Sequence, residues 1–349
     1  MSLAWKGFHS FRAGFSPSFG GSITDGIPPV ASWTAPSAFP SSILTLTRAD
    51  ASAIATYFDS SGVLRTVASA TDPRIDYNAS TLAVRGLLVE GSAINVFFPA
   101  IPSAWTPSAT TVGAGATSVD GSTVMMRVTE DGTTAAHSAA APAFTFTITS
   151  GQSYTVAFDA KTVSGSRWIQ FNIAGTGVWA NFDPSTGATG SSGGVWQSST
   201  SLSTELLSGS VYRCKLTFTA NTTTAADPRF YLVPAGASGA AQSYAGNSTS
   251  AFDVSWGQVE NRAFATSRIR TIGSAVIRAS DVLSAASLTT NPAIIQYRDI
   301  ATGTRARKVI NPWSGISGET NEWIEAIRIY PSSTPAGYLT SHLTVDGPW

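Results

Sequence analysis

Two kinds of side chain in this sequence have types and spacings that bear on chemistry: tryptophans set beside short amides and glycines, and scattered carboxylates. The run WIQFNIAGTGVWANFDPSTG at 168–187 gathers Trp168, Trp179, Asn181, Phe182 and Asp183, and GGVWQSS adds Trp196 and Gln197. A flat indole beside short polar groups suits a sugar ring. The C–H face stacks on the aromatic while the hydroxyls bond the amides and carboxylates. Trp179, Asn181, Asp183, Trp196 and Gln197 are therefore the candidate glycan-binding residues. Trp179 and Trp196 flank glycine-rich loops and are expected to be exposed, whereas Trp168 and Phe171 are expected in the core. The competing use of the same tryptophans is to cap a sandwich or fill a subunit interface.

Other chemistries lack their residues. The three histidines, at 9, 137 and 342, lie in separate regions and never at HExxH spacing, so no zinc site is expected. GATGSSGG (187–194) is followed by no lysine and opens no helical pattern, and it reads as a flexible loop rather than a phosphate cradle. Paired carboxylates would be needed for glycoside cleavage. Most acidic residues between 120 and 260 read instead as turn formers. Glu90 and Glu260 fall at strand ends, with Arg85 and Arg262 as expected partners. The single cysteine, Cys214, sits in the alternating run VYRCKLTFTA and reads as a buried thiol, since one cysteine cannot form an intrachain disulfide. No catalytic residue, metal ligand or cofactor is assigned.

Composition narrows the setting. Of 349 residues only 12% are charged, about half the roughly 25% usual for globular proteins. The formal net charge is zero, which indicates no pull toward nucleic acid or an anionic membrane. Only Lys6, Lys161, Lys215 and Lys308 are lysines, so arginine supplies most of the positive charge. A surface so poor in charge suits an assembled protein better than a free monomer. No apolar run reaches the roughly 18 residues of a membrane span, and no signal-peptide core is visible at the N-terminus, so synthesis in a cytoplasm is expected.

Residues 1 to about 48 follow no helical or strand period, and from about residue 45 the pattern is β. Short alternating runs with turn signals every 8 to 20 residues predict an all-β, antiparallel β-sandwich of jelly-roll type. ATYFDSSGVLRTV (55–67) reads as a hairpin whose loop ends in a glycine able to take positive φ. Phe144, Phe146 and Ile148 alternate on one face, as do Tyr154, Val156 and Phe158. Near the end, Thr334 and Pro335 predict the start of one short helix. Four segments follow: an extended N-terminal arm over 1–48, a hairpin and collar over 49–100, a jelly roll over 101–284, and a small C-terminal β domain over 285–349. The arm carries Trp5, Phe8, Phe11, Phe15, Phe19, Trp33 and Phe39 among many Pro and Gly residues. It cannot close a core of its own, and burying each aromatic elsewhere would stabilise by roughly 1.5–3 kcal/mol. Contact with another chain is the expectation, and wrapping around its own domains the alternative.

Four stretches carry a resemblance: ATYFDSSGVLRTV (55–67), PRIDYNASTLAVRGLLVEGSAINV (73–96), WGQVENRAFATSRIRT (256–271) and AVIRASDVLS (275–284). In this order they resemble a family of tailed-bacteriophage structural proteins, comprising head-spike, tail-fibre and minor tail proteins with a carbohydrate-binding-module-like jelly roll. The resemblance spans about residues 45 to 285. The family's EARTNLL is EGSAINVFF here, so Asn95 keeps its place and the arginine is gone. The resemblance implies a non-enzymatic virion protein, made in the host cytoplasm, that helps attach the particle to host-surface polysaccharide. It further implies a homotrimer, held to capsid or tail proteins through the arm. GLLVEG would serve by adding a strand to a sheet edge, giving register through backbone bonds. The alternatives are a decoration or collar protein without a sugar ligand, and a glycan-active enzyme or its binding module.

Overall fold

The computed structural model describes residues 29–49, 54–97, 105–141, 146–173, 177–271, 274–285, 288–317, 321–341 and 343. The arm aromatics Trp5 to Phe19, and Phe144, lie outside these residues. What is described is almost wholly antiparallel β, with the one α-helix among the described residues at Ala336–Ser341. That agrees with the predicted fold class.

The middle of the chain forms two facing six-stranded sheets. The first runs Gln197–Leu206, Tyr212–Ala220, Ser153–Ser164, Ala251–Glu260, Val124–Glu130, Thr110–Thr117; the second runs Thr189–Gly193, Val178–Phe182, Trp168–Ile173, Pro228–Val233, His137–Ala140, Thr106–Ser108. Alternation along each strand sends one set of side chains between the sheets. There Phe158 meets Phe171, Phe182 and Phe230 at ring-centroid distances of 5.8, 5.6 and 5.0 Å. Cys214 is in this core and burial pushes its thiol well up, as expected of an inert packing residue. Phe146 and Ile148 are buried too, but their strand pairs with Thr224–Ala226 rather than with the strand that follows. The Ser153–Ser164 strand is buried on both faces over most of its length, so something covers the first sheet from outside.

The immediate cover is the 262–268 segment, whose Arg262 carbonyl and Arg268 side chain bond Thr155 and Asp159; beyond it lies a second sandwich, which cuts across the division into four segments. Glu322–Ile329 pairs with Ala293–Asp299 on one side; on the other its two halves pair with Val84–Val89 and Ala31–Thr34. Ile75–Tyr77 and Arg305–Ile310 complete the sheet. A three-stranded sheet of Thr45–Arg48, Asp281–Ser284 and Ile316–Ser317 packs on it, and Trp33, Leu46, Val89, Leu283, Ile295, Trp313 and Ile327 share the core. Residues 31–48 of the arm, Ile75 and Val84–Val89 of the collar and the C-terminal segment thus share one core, joined by Asp281–Ser284, while the 56–66 hairpin packs instead on Val119, Met125, Leu207 and Val211 of the middle sandwich. None of the three carries enough apolar surface to close a core alone, and together they do. GLLVEG is accordingly an inner strand rather than a free edge, because both its neighbours come from this chain.

Local expectations fare well at turns. The Thr56–Phe58 and Leu64–Thr66 hairpin forms in register, with Asp59 Oδ1 accepting from the Ser61 and Val63 amides and Gly62 at φ 73°. A Cβ at Gly62 would also lie 2.5 Å from the Ala79 carbonyl oxygen, so glycine is required twice over. Thr334 does not cap the helix: its hydroxyl is buried with no hydrogen-bond partner among the described residues. The helix is held instead by Leu339, packed against Ile294 and Tyr330.

Trp33 and Phe39 therefore belong to this chain's own core, with rings 6.2 Å apart edge to face. Trp33→Ala is expected to lower stability by about 3–5 kcal/mol, read from the urea midpoint. A change below about 1 kcal/mol would mean that Ala31–Thr34 is only loosely held.

Candidate functional site

The sequence-predicted glycan residues do not form one open surface. Trp179 and Asn181 project from the outer face of the second jelly-roll sheet, yet both are buried, Trp179 at 8% exposure and Asn181 at 1%. Register explains the row they join: Asn181 lies opposite Gln170, and Gln170 opposite Tyr231. The 234–243 loop folds over this row. Gln170 Nε2 donates to Asn181 Oδ1 (2.8 Å) and to the Gly239 carbonyl (3.0 Å), its Oε1 accepts from the Ala241 amide (2.7 Å), and Asn181 Nδ2 donates to the Ala237 carbonyl (2.7 Å). These amides fasten a loop, so the expectation of an exposed Trp179 is corrected. Asp183 closes a turn, accepting from Ser185 and Thr186. Trp196 is half-buried, with its ring over Gly177, and Gln197 is half-buried at the start of its strand.

The glycines beside these tryptophans answer to packing. GATGSSGG is no flexible loop; most of it is the edge strand Thr189–Gly193. A Cβ at Gly190 would stand 2.5 Å from the Trp168 ring, and one at Gly193 would stand 2.9 Å from Trp179. The rings lie flat on a backbone that only glycine leaves bare.

The stretches 55–67, 73–96, 256–271 and 275–284 converge elsewhere, on a buried polar junction between the two sandwiches. Glu90 is its centre. Its carboxylate accepts from Arg74 Nη1 and Arg278 Nη1, each at 2.7 Å, and from the Ser267 amide and hydroxyl, each at 2.6 Å. Asp281 binds Arg74 Nη2, accepts from Arg48 Nη1 at 3.1 Å and receives the Glu90 amide at 2.8 Å. The side chains of Arg74, Glu90, Arg278 and Asp281 are fully buried. Arg85, the partner expected for Glu90, instead binds Glu205 and Asp76. Glu260 does lie near Arg262, at 3.6 Å, but its firmer bonds are to the Thr266 amide and hydroxyl at 2.8 and 2.9 Å.

The 260–271 segment joins this centre to the jelly roll. Arg268 grips Asp159 on the outer face of the first sheet with two bonds of 2.9 and 2.7 Å, and its guanidinium lies 4.9 Å from the Phe58 ring centroid. Asn95 uses all its bonding capacity: Nδ2 donates to the Gly257 and Ile269 carbonyls, and Oδ1 accepts from the Phe97 and Val259 amides. Among the described residues no group of three or more His, Cys, Asp or Glu is placed to hold a metal ion. The sequence reading missed this junction. Its one local signal is alternation, as in YRCK (212–215), where Arg213 and Lys215 flank the inward-facing Cys214.

Burial alone would push the Glu90 carboxyl up; Arg278, Arg74 and the Ser267 bonds overcome that and hold it at about 2. Glu205 is lowered too, because Lys215 and Arg85 outweigh its burial, whereas burial raises Asp76 and Glu260. No family model and no curated protein matches the chain.

Two predictions follow from this geometry. Glu90→Gln removes the carboxylate that Arg74 and Arg278 share, leaving Arg74 only Asp281 and Arg278 no ion pair among the described residues, and should lower stability by about 3–5 kcal/mol at pH 7. The folded-state value for Glu90 lies below its ordinary 4.5, so its contribution is complete above that pH and is lost as pH falls toward 2. The gap between wild type and variant should therefore narrow across that window in urea titrations; a constant gap would show that the ion pairs are not its source. Separately, Trp179→Ala should destabilise by about 3–5 kcal/mol and Trp196→Ala by clearly less. Equal, negligible shifts in melting temperature would restore the exposed reading of Trp179.

Proposed function

We propose that this chain is a non-enzymatic virion structural protein of a tailed phage, a spike, fibre or minor tail component that contributes to host-surface glycan attachment. The observation that carries the proposal is the convergence just described. Arg74, Glu90 and Asn95, then Glu260, Ser267 and Arg268, then Arg278 and Asp281 come from separate resembling stretches and meet in one bonded junction. A family likeness concentrated in residues that lock two sandwiches together supports a mechanical role. Such residues transmit load and fix orientation; they do not turn over a substrate. The acidic residues fit this reading, since Asp159, Asp253, Glu90, Glu130 and Glu205 are each engaged by arginine. A purely structural decoration or collar protein is the second reading, favoured by the burial of Trp179 and Asn181.

Trp33 and Phe39 serve their own domain, so an anchoring role for the arm falls to residues 1–28, which lie outside the described residues. In the proposal this segment joins the protein to capsid or tail proteins, and the protein assembles as a homotrimer. Deleting residues 2–28 should then leave the circular-dichroism spectrum and melting temperature of the purified protein near wild type, while mass spectrometry of purified particles no longer detects the chain. Normal copy number in the particle would defeat the anchoring role. Absence of the full-length chain from particles would defeat the virion assignment itself.

A further inference from the structure

Between the outer face of the first jelly-roll sheet and the second sandwich a cleft of about 80 Å³ stays open. Arg213 and Lys215 project into it from one strand, on either side of the inward-facing Cys214, and Glu205 from the next. Asp76, Arg85 and Trp323 line the opposite wall, with Tyr57, Thr266 and Ser267 between. Most of these charges are matched. Glu205 binds both Arg85 and Lys215, the latter at 3.4 Å, and Asp76 accepts the Trp323 indole N–H at 3.0 Å. Arg268, which also lines the cleft, is taken by Asp159.

Arg213 is the exception. It is 3% exposed and, among the described residues, forms no ion pair and donates one side-chain hydrogen bond, from Nη2 to the Thr266 carbonyl at 3.3 Å, with no partner for Nη1. Burial, with Arg268 nearby, pushes it down to about 10, so it remains a cation at neutral pH. A buried guanidinium with a free donor calls for an anion. Arg85 lies over one face of the Trp323 ring at 5.2 Å, and Tyr57 lines the cleft as a second aromatic group. A cleft of this volume has room for more than one water molecule and is open on one side to a larger ligand. A phenol, an indole and a cation with an unused donor together suit a ring that carries one acid group.

We propose that this interdomain cleft binds an acidic saccharide, its carboxylate paired with Arg213 and Lys215 and its ring set against Trp323 and Tyr57. The choice of a saccharide rests on the surface-attachment reading above; the pairing of an anion with Arg213 does not. The site differs from the tryptophan cluster at 179–197, and it would couple ligand binding to the junction that holds the two sandwiches.

Saturation-transfer NMR on the full chain at neutral pH tests this with four probes: sodium glucuronate, glucose, acetate and inorganic phosphate. Glucuronate should bind with a dissociation constant of about 1 mM, as befits one small ring in a shallow site. Glucose should give no transfer, and acetate and phosphate should bind more weakly than glucuronate. Arg213→Gln should weaken glucuronate by about tenfold, the loss of a charge-assisted pair. If that variant fails to fold by circular dichroism, Lys215→Gln takes its place and should weaken binding several-fold. No transfer to glucuronate in the wild type, or unchanged affinity in the folded variant, overturns the site. Acetate or phosphate binding as tightly as glucuronate overturns the saccharide. None of these measurements uses particles, so a failure here is distinguishable from a failure of the virion reading, which particle composition decides.

Discussion

The ion pairs that Glu90 makes with Arg74 and Arg278, extended through Asp281 to Arg48, are the constraint on which the arrangement of this protein depends. Three guanidiniums and two carboxylates, carried at positions 48, 74, 90, 278 and 281, meet with almost no exposure to water. Removing such groups from water costs several kcal/mol per ion, and the cluster is tolerable only because each charge is met by a fork of hydrogen bonds. That requirement is geometric. Arg74 must reach Glu90 and Asp281 at once, and Arg278 must reach Glu90 and the Gly91 carbonyl, so the strands carrying them have little freedom of register. Lysine could not substitute, because a single ammonium lacks the planar fork.

The same cluster accounts for the odd charge economy of the chain. Few residues are charged, and many of those are interior. Arg268 on Asp159, Arg127 on Asp253 and Arg167 on Glu130 repeat the pattern of a buried carboxylate clasped by arginine. What remains outside is rich in Ser, Thr and Gly, as on the Gln197–Leu206 strand. A protein built this way spends its electrostatics on internal orientation. Its exterior has little net field with which to attract or repel partners.

The two sandwiches meet through polar surfaces. The outer face of the first jelly-roll sheet presents Glu205, Arg213, Lys215 and Asp159, and Arg85 and Arg268 approach it from the other side. A polar interface of this kind fixes relative position by directional bonds, whereas an apolar one would permit sliding. It also leaves gaps wherever the bonding pattern does not close, and the cleft at Arg213 is one of them.

Alternation of apolar and polar residues, with Gly, Asp and Asn at the turns, was sufficient to specify the antiparallel sandwich, the 55–67 hairpin and the interior position of Cys214. These properties are set by neighbours one or two residues away, and the sequence displays them directly. Domain composition was decided only in three dimensions. Residues 31–34, 84–89 and 322–329 share one sheet across nearly three hundred residues of chain, and nothing local in any of them names its partner. The tryptophans near 179 and 196 show the same limit. Their neighbours suggested an open sugar platform, yet Trp179 lies against Gly193 and Asn181 is bonded beneath a loop some fifty residues further on. Whether a side chain on an outer face meets solvent depends on what the rest of the chain lays over it, and only the tertiary structure contains that information.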